Sequence, residues 1–266
     1  MILTFRGTYT GDEEEIKFVK DFNKNKEKYS TYLSNFVSEN NLEQIWMVRV
    51  TSKQISKLSN RKVFTRADSY LISLEKDINE LLSENDYYLS ENILDNNSIS
   101  YKEIPKSGVS VKMSNSNGYQ IIKLGPNSFE NLFKSYELGA GASLYCKREN
   151  ELYKNIDLIS GWKSSLEQMV NFFQEFTNNN QDFYKNKDIC KDIKNWSCDK
   201  IYSTITNSPR LKKIIFNGEE IYKEPYTAYY FYQDGKLTIL DIIPFYVTTG
   251  SGRSRGDYTI VLKPKL

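Results

Sequence analysis

Apolar and polar residues alternate along this chain in two different rhythms. From Gly11 to about Asn40 the apolar positions Val19, Phe22, Tyr29, Tyr32, Leu33, Phe36 and Val37 recur at helical spacing, with Asp12 as a cap and Glu13, Glu14 and Glu15 in the first turn. Ile45–Val50 and Val63–Leu74 read as strands, and Glu75 to Asp95 as a polar, helical excursion. Ser98–Ile104 and Gly108–Met113 read as two strands joined by Pro105-Lys106-Ser107-Gly108, and Tyr119–Leu124 as another short one. Asn127–Leu138 is expected to be a helix opened by Asn127 with Glu130 three residues on. Trp162–Phe176 is expected to be an amphipathic helix, and Asp188–Ile205 to be helical too. From about Lys212 the pattern turns to strands: Lys213–Phe216, Tyr226–Tyr232, Lys236–Phe245 and Tyr258–Leu262, with Asn217-Gly218 and Asp234-Gly235 as hairpin signals. The expected fold class is α/β or α+β, with a β-rich end. The expected division is a core over residues 1–210 and a C-terminal region over 211–266.

Composition narrows the chemistry. The 266 residues carry 36 Lys+Arg against 34 Asp+Glu, a net of +2, so any basic surface is local. Mean hydropathy is −0.59 and no apolar run approaches the ~20 residues of a membrane helix. The N-terminus turns acidic at once, unlike a signal peptide. The three scattered cysteines, Cys146, Cys190 and Cys198, suit a reducing compartment, so a cytoplasmic location is expected. The count of zero histidines excludes serine–histidine and cysteine–histidine hydrolases and histidine-ligated zinc enzymes. Chemistry here must run on carboxylates, Lys, Arg, Tyr, Ser or a hard metal held by oxygens. The Asn/Lys-rich stretch Phe22-Asn23-Lys24-Asn25-Lys26 is set down to base composition.

One constellation fits that restriction. Asp68 lies in an otherwise apolar run, and about 40 residues on comes Gly108-Val109-Ser110-Val111-Lys112-Met113. Strand alternation puts Val109, Val111 and Met113 on one face and Ser110 and Lys112 on the other. If Pro105–Gly108 is a hairpin turn, Glu103 lies opposite Ser110 and joins that polar face. Carboxylates beside a lysine make a sensible Mg²⁺ hydrolytic site. Each residue also has an ordinary structural role open to it. Asp68 can end a turn or pair with Arg66, Lys112 can face solvent, Glu130 can complete a capping box, and Glu103 can pair across strands.

Thr65-Arg66-Ala67-Asp68-Ser69-Tyr70-Leu71-Ile72 followed by Gly108-Val109-Ser110-Val111-Lys112 resembles the core of PD-(D/E)xK nucleases, more narrowly type II restriction endonucleases. The resemblance spans roughly residues 60–180. It implies a restriction-endonuclease-like core, a central mixed sheet flanked by helices, that hydrolyses double-stranded DNA at a short specific sequence with Mg²⁺. It implies metal binding by Asp68 and the Val111 carbonyl, and catalysis by Lys112. Ser110 stands where the family has its second acid, which leaves Glu130 or Glu103 to supply that carboxylate. An accessory acid on the first helix would be Glu14 or Glu15. A homodimer and a cognate DNA methyltransferase in the same cell are further expectations. For DNA contact the basic residues Arg210, Lys212 and Lys213 and the loop residues Arg253 and Arg255 are the candidates. Two other functions stay open. Phe5-Arg6-Gly7-Thr8 with Glu149-Asn150-Glu151 resembles the arginine strand and Glu-x-Glu motif of NAD-dependent ADP-ribosyltransferases, with Arg6 on NAD phosphate. A non-catalytic DNA-binding module is the third reading.

Overall fold

A computed structural model describes residues 9–37, 41–113, 119–240, 243–249 and 258–265 of the chain. It is a mixed α and β protein whose main sheet contains both parallel and antiparallel pairs. The chain divides into two compact units, each made of two chain segments: residues 1–116 with 216–242, and 117–215 with 243–266. The chain crosses between the units after residues 116, 215 and 242, so one crossing falls near the expected boundary at 210 and two do not. The late strands split between the two units instead of forming one C-terminal region.

The first unit opens with helix α1 (Tyr9–Lys24) and the short α2 (Ser30–Leu33), joined by a 3₁₀ turn over Lys26–Tyr29. The expected single long helix thus breaks in its Lys/Asn-rich middle. Strands β1 (Ile45–Arg49), β2 (Gln54–Ser56), β3 (Arg61–Val63) and β4 (Ser69–Ser73) follow, then α3 (Asn79–Glu84) and α4 (Glu91–Asn96). Next come β5 (Lys102–Glu103) and β6 (Val109–Val111). Strands β8 (Tyr230–Gln233) and β9 (Lys236–Ile239) arrive from the far end of the sequence. The sheet order is β1-β4-β6-β8-β9, with β5 also on β4, and β6–β8 is its one parallel pair. Asp234 and Gly235 both have positive φ, 52° and 76°, and form the expected two-residue hairpin between β8 and β9.

Side-chain alternation divides this sheet's core. On the α1 face, Ile45, Met47, Leu71, Val109 and Val111 pack against Phe18, Val19 and Phe22, which recur at i, i+3/i+4 spacing on α1. On the other face Val48, Tyr70 and Ile72 pack with Leu82, Leu89 and Leu94. Strand β1 lies at the edge of the sheet, and the buried Asn23 amide serves that edge. Its Nδ2 donates to the Met47 carbonyl at 3.0 Å, and its Oδ1 accepts from the Met47 N–H at 2.8 Å. The side chain replaces a neighbouring strand, so Asn23 is a specific structural residue inside the stretch set down to composition.

The second unit holds β7 (Ile122–Leu124), α5 (Pro126–Phe133), α6 (Tyr136–Ser143), α7 (Asn155–Gly161), α8 (Leu166–Phe172), α9 (Gln174–Thr177), α10 (Lys187–Thr206) and α11 (Pro209–Lys212). Strands β10 (Phe245–Thr249) and β11 (Ile260–Pro264) pair in the antiparallel order β10-β11-β7. Three expectations change here. The helix expected over Asn127–Leu138 is two helices, because Lys134 turns left-handed and Ser135 caps a new start; Gly125, not Asn127, precedes the first. Trp162–Phe176 is not continuous either. Lys163 has φ 59°, and Ser165 with Gln168 forms a capping box that begins α8. Lys213–Phe216 is a helical turn, not a strand, and Asn217-Gly218 ends it instead of making a hairpin.

Gly108, just before β6, has no room for a side chain: a Cβ there would lie 1.8 Å from the Thr227 carbonyl oxygen. Gly108→Ala is expected to destabilise the protein by about 1–3 kcal/mol or more through overpacking, read as a lower midpoint in chemical denaturation.

Candidate active site

Asp68 sits immediately before β4, and its backbone is fixed on both sides. Its N–H donates to the Val109 carbonyl at 2.9 Å, and its carbonyl accepts from the Val50 N–H at 2.9 Å. The side chain turns to β6. Oδ2 accepts from the Val111 N–H at 2.7 Å and from the Ser110 hydroxyl at 3.3 Å. The Lys112 ammonium lies 3.5 Å from the same oxygen, with both side chains about a quarter exposed. Lys112 also donates to Ser110 Oγ at 2.7 Å and to the Val111 carbonyl at 3.1 Å. Asp68, Ser110, Val111 and Lys112 therefore form one cluster. Val109 and Val111 are buried on the α1 face while Ser110 and Lys112 reach Asp68. The parallel partner β8 fixes the end of β6, since the Lys112 N–H donates to the Tyr232 carbonyl at 2.9 Å.

Glu103 does not lie opposite Ser110. Strands β5 and β6 do not form a hairpin; both pair with the same edge of β4, Glu103 opposite Ile72 and Val109 opposite Ser69. The segment between them stays along that edge, where Ser107 Oγ accepts from the Leu71 N–H at 2.9 Å and donates to the Ile104 carbonyl at 2.6 Å. Ile72 is four residues from Asp68, about 13 Å along a strand. Glu103 has Glu91 as its acidic neighbour instead, and burial followed by that charge pushes its carboxyl above the usual range. Glu130 belongs to the second unit, on α5, where its carbonyl accepts from the Lys134 N–H at 2.8 Å.

The carboxylate that feels Asp68 is Glu15, one turn ahead of Phe18 and Val19 on the inward stripe of α1. Burial, and then the nearby Asp68 charge, push its carboxyl up to about 7, against the lowering influence of Arg49. Arg49, at the end of β1, donates from Nε to Glu15 at 2.7 Å and from Nη2 to Asp12 at 2.7 Å. Among these residues Arg49 is the one the sequence reading missed. Its only signal was a lone arginine closing the apolar run Ile45-Trp46-Met47-Val48. Glu14, the other first-helix candidate, lies near Tyr232.

The cluster fits a hard cation. Three oxygens, from Asp68, Ser110 and the Val111 backbone, converge on the Lys112 ammonium, so one positive centre is already surrounded by oxygen donors. A carboxylate and a carbonyl with water is a donor set of the type Mg²⁺ takes. Among the described residues no group of three or more His, Cys, Asp or Glu side chains is arranged to hold a metal, so a site here needs a backbone carbonyl and water beside its carboxylates.

Arg210 is exposed on α11, Lys212 is half-buried there, and Lys213 is exposed on the following turn; all three belong to the second unit. Arg253, Arg255 and Arg6 lie outside the described residues. Glu149 is paired with Lys187 at 3.2 Å, and Glu151 with Lys154 at 2.9 Å and Arg148 at 3.5 Å, so both Glu-x-Glu carboxylates are held in ion pairs. Among the described residues no helix is long and apolar enough to cross a membrane. No protein-family model matches the chain, and neither a curated protein nor a solved structure matches it.

Glu15 gives a pH test. Its carboxyl holds a proton more tightly folded, near 7, than its ordinary 4.5, so the stability it contributes is fully present below about 4.5 and is lost as pH rises through about 7. The stability of the protein minus that of Glu15→Gln is expected to fall over that window, measured by urea denaturation at successive pH values.

Proposed function

We propose that this protein is a Mg²⁺-dependent endodeoxyribonuclease of the type II restriction class, built on a restriction-endonuclease-like core. The observation that carries the reading is the contact set between Asp68 and the Ser110-Val111-Lys112 strand: one carboxylate oxygen takes the Val111 N–H at 2.7 Å and has the Lys112 amine 3.5 Å away. Two segments 42 to 44 residues apart meet through the residues the PD-(D/E)xK resemblance singles out. Among the described residues neither the ADP-ribosyltransferase reading nor a non-catalytic module has a comparable cluster in its favour.

In this reading Asp68 and the Val111 carbonyl hold Mg²⁺, with Glu15 as the second carboxylate. The bound ion would supply Lewis acidity and an acidified water. Lys112 orients the attacking water and offsets charge developing on the phosphoryl oxygens. Ser110, accepting from Lys112 at 2.7 Å, holds that amine in place. Water attacks phosphorus, the 3′ oxygen leaves, and the product carries a 5′-phosphate. Double-stranded DNA would be held through Arg210, Lys212, Lys213, Arg253 and Arg255. A homodimer suits a palindromic site. A methyltransferase in the same cell would protect host DNA, and a cytoplasmic location goes with that role.

The test is digestion of unmethylated phage DNA with Mg²⁺ and with EDTA. Discrete fragments are expected with Mg²⁺ alone. Asp68→Ala and Lys112→Ala should cut at least 100-fold more slowly while retaining DNA binding in a gel-shift assay without Mg²⁺. Glu103→Gln should cut normally, whereas Glu15→Gln should cut poorly. Folded protein that cuts none of a varied DNA set overturns the reading.

A further inference from the structure

The Asp68 charge is felt at the Glu15 carboxyl, and β1 supplies an anchor for each acid. The Val50 N–H holds the Asp68 carbonyl at 2.9 Å. One residue earlier, Arg49 reaches to α1 and holds the Glu15 carboxylate at 2.7 Å with Nε. Arg49 is itself heavily constrained. Its Cα lies opposite Ser69, the residue after Asp68, in the antiparallel β1–β4 register. Its N–H donates to the Leu89 carbonyl at 3.0 Å. Its Nη2 takes Asp12 at 2.7 Å, and its side chain is only 15% exposed.

We infer that Arg49 is a positioning residue for the nuclease chemistry, holding Glu15 beside Asp68 so that a divalent ion finds both carboxylates in place. The inference rests on the proposed metal-dependent function. It follows from three features together. Two like-charged carboxylates repel, and bringing a second one into a half-buried site requires a fixed counter-charge. A guanidinium supplies that charge without occupying the oxygen cluster around Lys112, because it approaches from the β1 side. Its planar fork has separate donors for two acids, so Glu15 is held in orientation as well as in charge. Glu15 is on a helix and Asp68 before a strand, and nothing in the β4–β6 ladder links them. The β1 terminus holds the backbone of one and the side chain of the other. A purely structural ion pair between α1 and the sheet would give Arg49 a role in stability alone.

The test is titration of the full-length chain with Mn²⁺ in the absence of DNA, followed calorimetrically, with the variants Arg49→Gln, Arg49→Lys, Glu15→Gln, the Arg49→Gln/Glu15→Gln pair, and Asp68→Ala. Removing a group that orients a ligand typically weakens metal binding ~10–100-fold, and that is the loss expected for Arg49→Gln. Arg49→Lys should recover part of it, since an ammonium keeps the charge but not the fork. In the Glu15→Gln background Arg49→Gln should add little, because its effect passes through Glu15. In DNA cleavage the Mg²⁺ concentration for half-maximal rate should rise for Arg49→Gln, with the rate at saturating Mg²⁺ nearly preserved. Thermal melts identify any unfolded variant; if Arg49→Gln is one, Arg49→Lys with and without Glu15→Gln makes the same comparison. Wild-type Mn²⁺ affinity in folded Arg49 variants, or losses from Arg49→Gln and Glu15→Gln that simply multiply, would overturn the inference while leaving the proposed function standing. Wild-type Mn²⁺ affinity in Asp68→Ala would overturn the proposed function, and this inference with it.

Discussion

The clasp between Asp68 and β6 is the interaction on which the site depends. It is reciprocal: the Asp68 N–H donates to Val109, and its carboxylate accepts from the N–H of Val111 two residues on. A carboxylate that takes a backbone donor from the neighbouring strand is fixed in orientation as well as position, and a charge-assisted hydrogen bond of this kind is about twice as strong as a neutral one. The Lys112 amine then has one geometry in which to meet it. Everything that sets β6 in place, from the missing Cβ at Gly108 to the parallel pairing with β8, acts on the chemistry through this contact.

Charge in this part of the first unit is balanced locally. The chain's net +2 hides a site where each acid has its own base, Lys112 for Asp68 and Arg49 for Glu15. The two bases differ in kind. Lysine is a mobile point charge among three oxygens, while arginine is a rigid fork pinned to two carboxylates. Arg66, two residues before Asp68 in sequence, is a third cation whose charge burial opposes and whose neighbours Tyr222 and Asp68 favour.

Short-range pattern was legible and pairing was not. The spacing between Asp68 and Ser110-Val111-Lys112, the alternation along β6 and the Asp234-Gly235 turn could all be read from local sequence. The partner of β5 could not. A Pro-Lys-Ser-Gly segment between two apolar runs has the composition of a hairpin, yet the Ser107 hydroxyl substitutes for ladder hydrogen bonds and lets the chain run on along β4. That substitution moved Glu103 away from the site. The helix breaks at Lys134 and Lys163 have no local signal, because lysine gives no warning of positive φ. Glu15 was one of two acids on the first helix implied by resemblance alone. What distinguishes it from Glu14 is its place on the stripe of Phe18, Val19 and Phe22, together with Arg49 from a strand 34 residues away. Nothing local to Asn23 announces that its amide will serve a strand edge.

The parallel pairing of β6 with β8 has a consequence for biosynthesis. Tyr232, which accepts from the Lys112 N–H, lies 120 residues downstream of that lysine, so a ribosome must pass it before the strand carrying the amine gains its neighbour. A growing chain that already contains every acid and base of the cluster would still lack the wall that sets their spacing. The strand that carries the amine would in this way gain its parallel neighbour only after those 120 residues have been made.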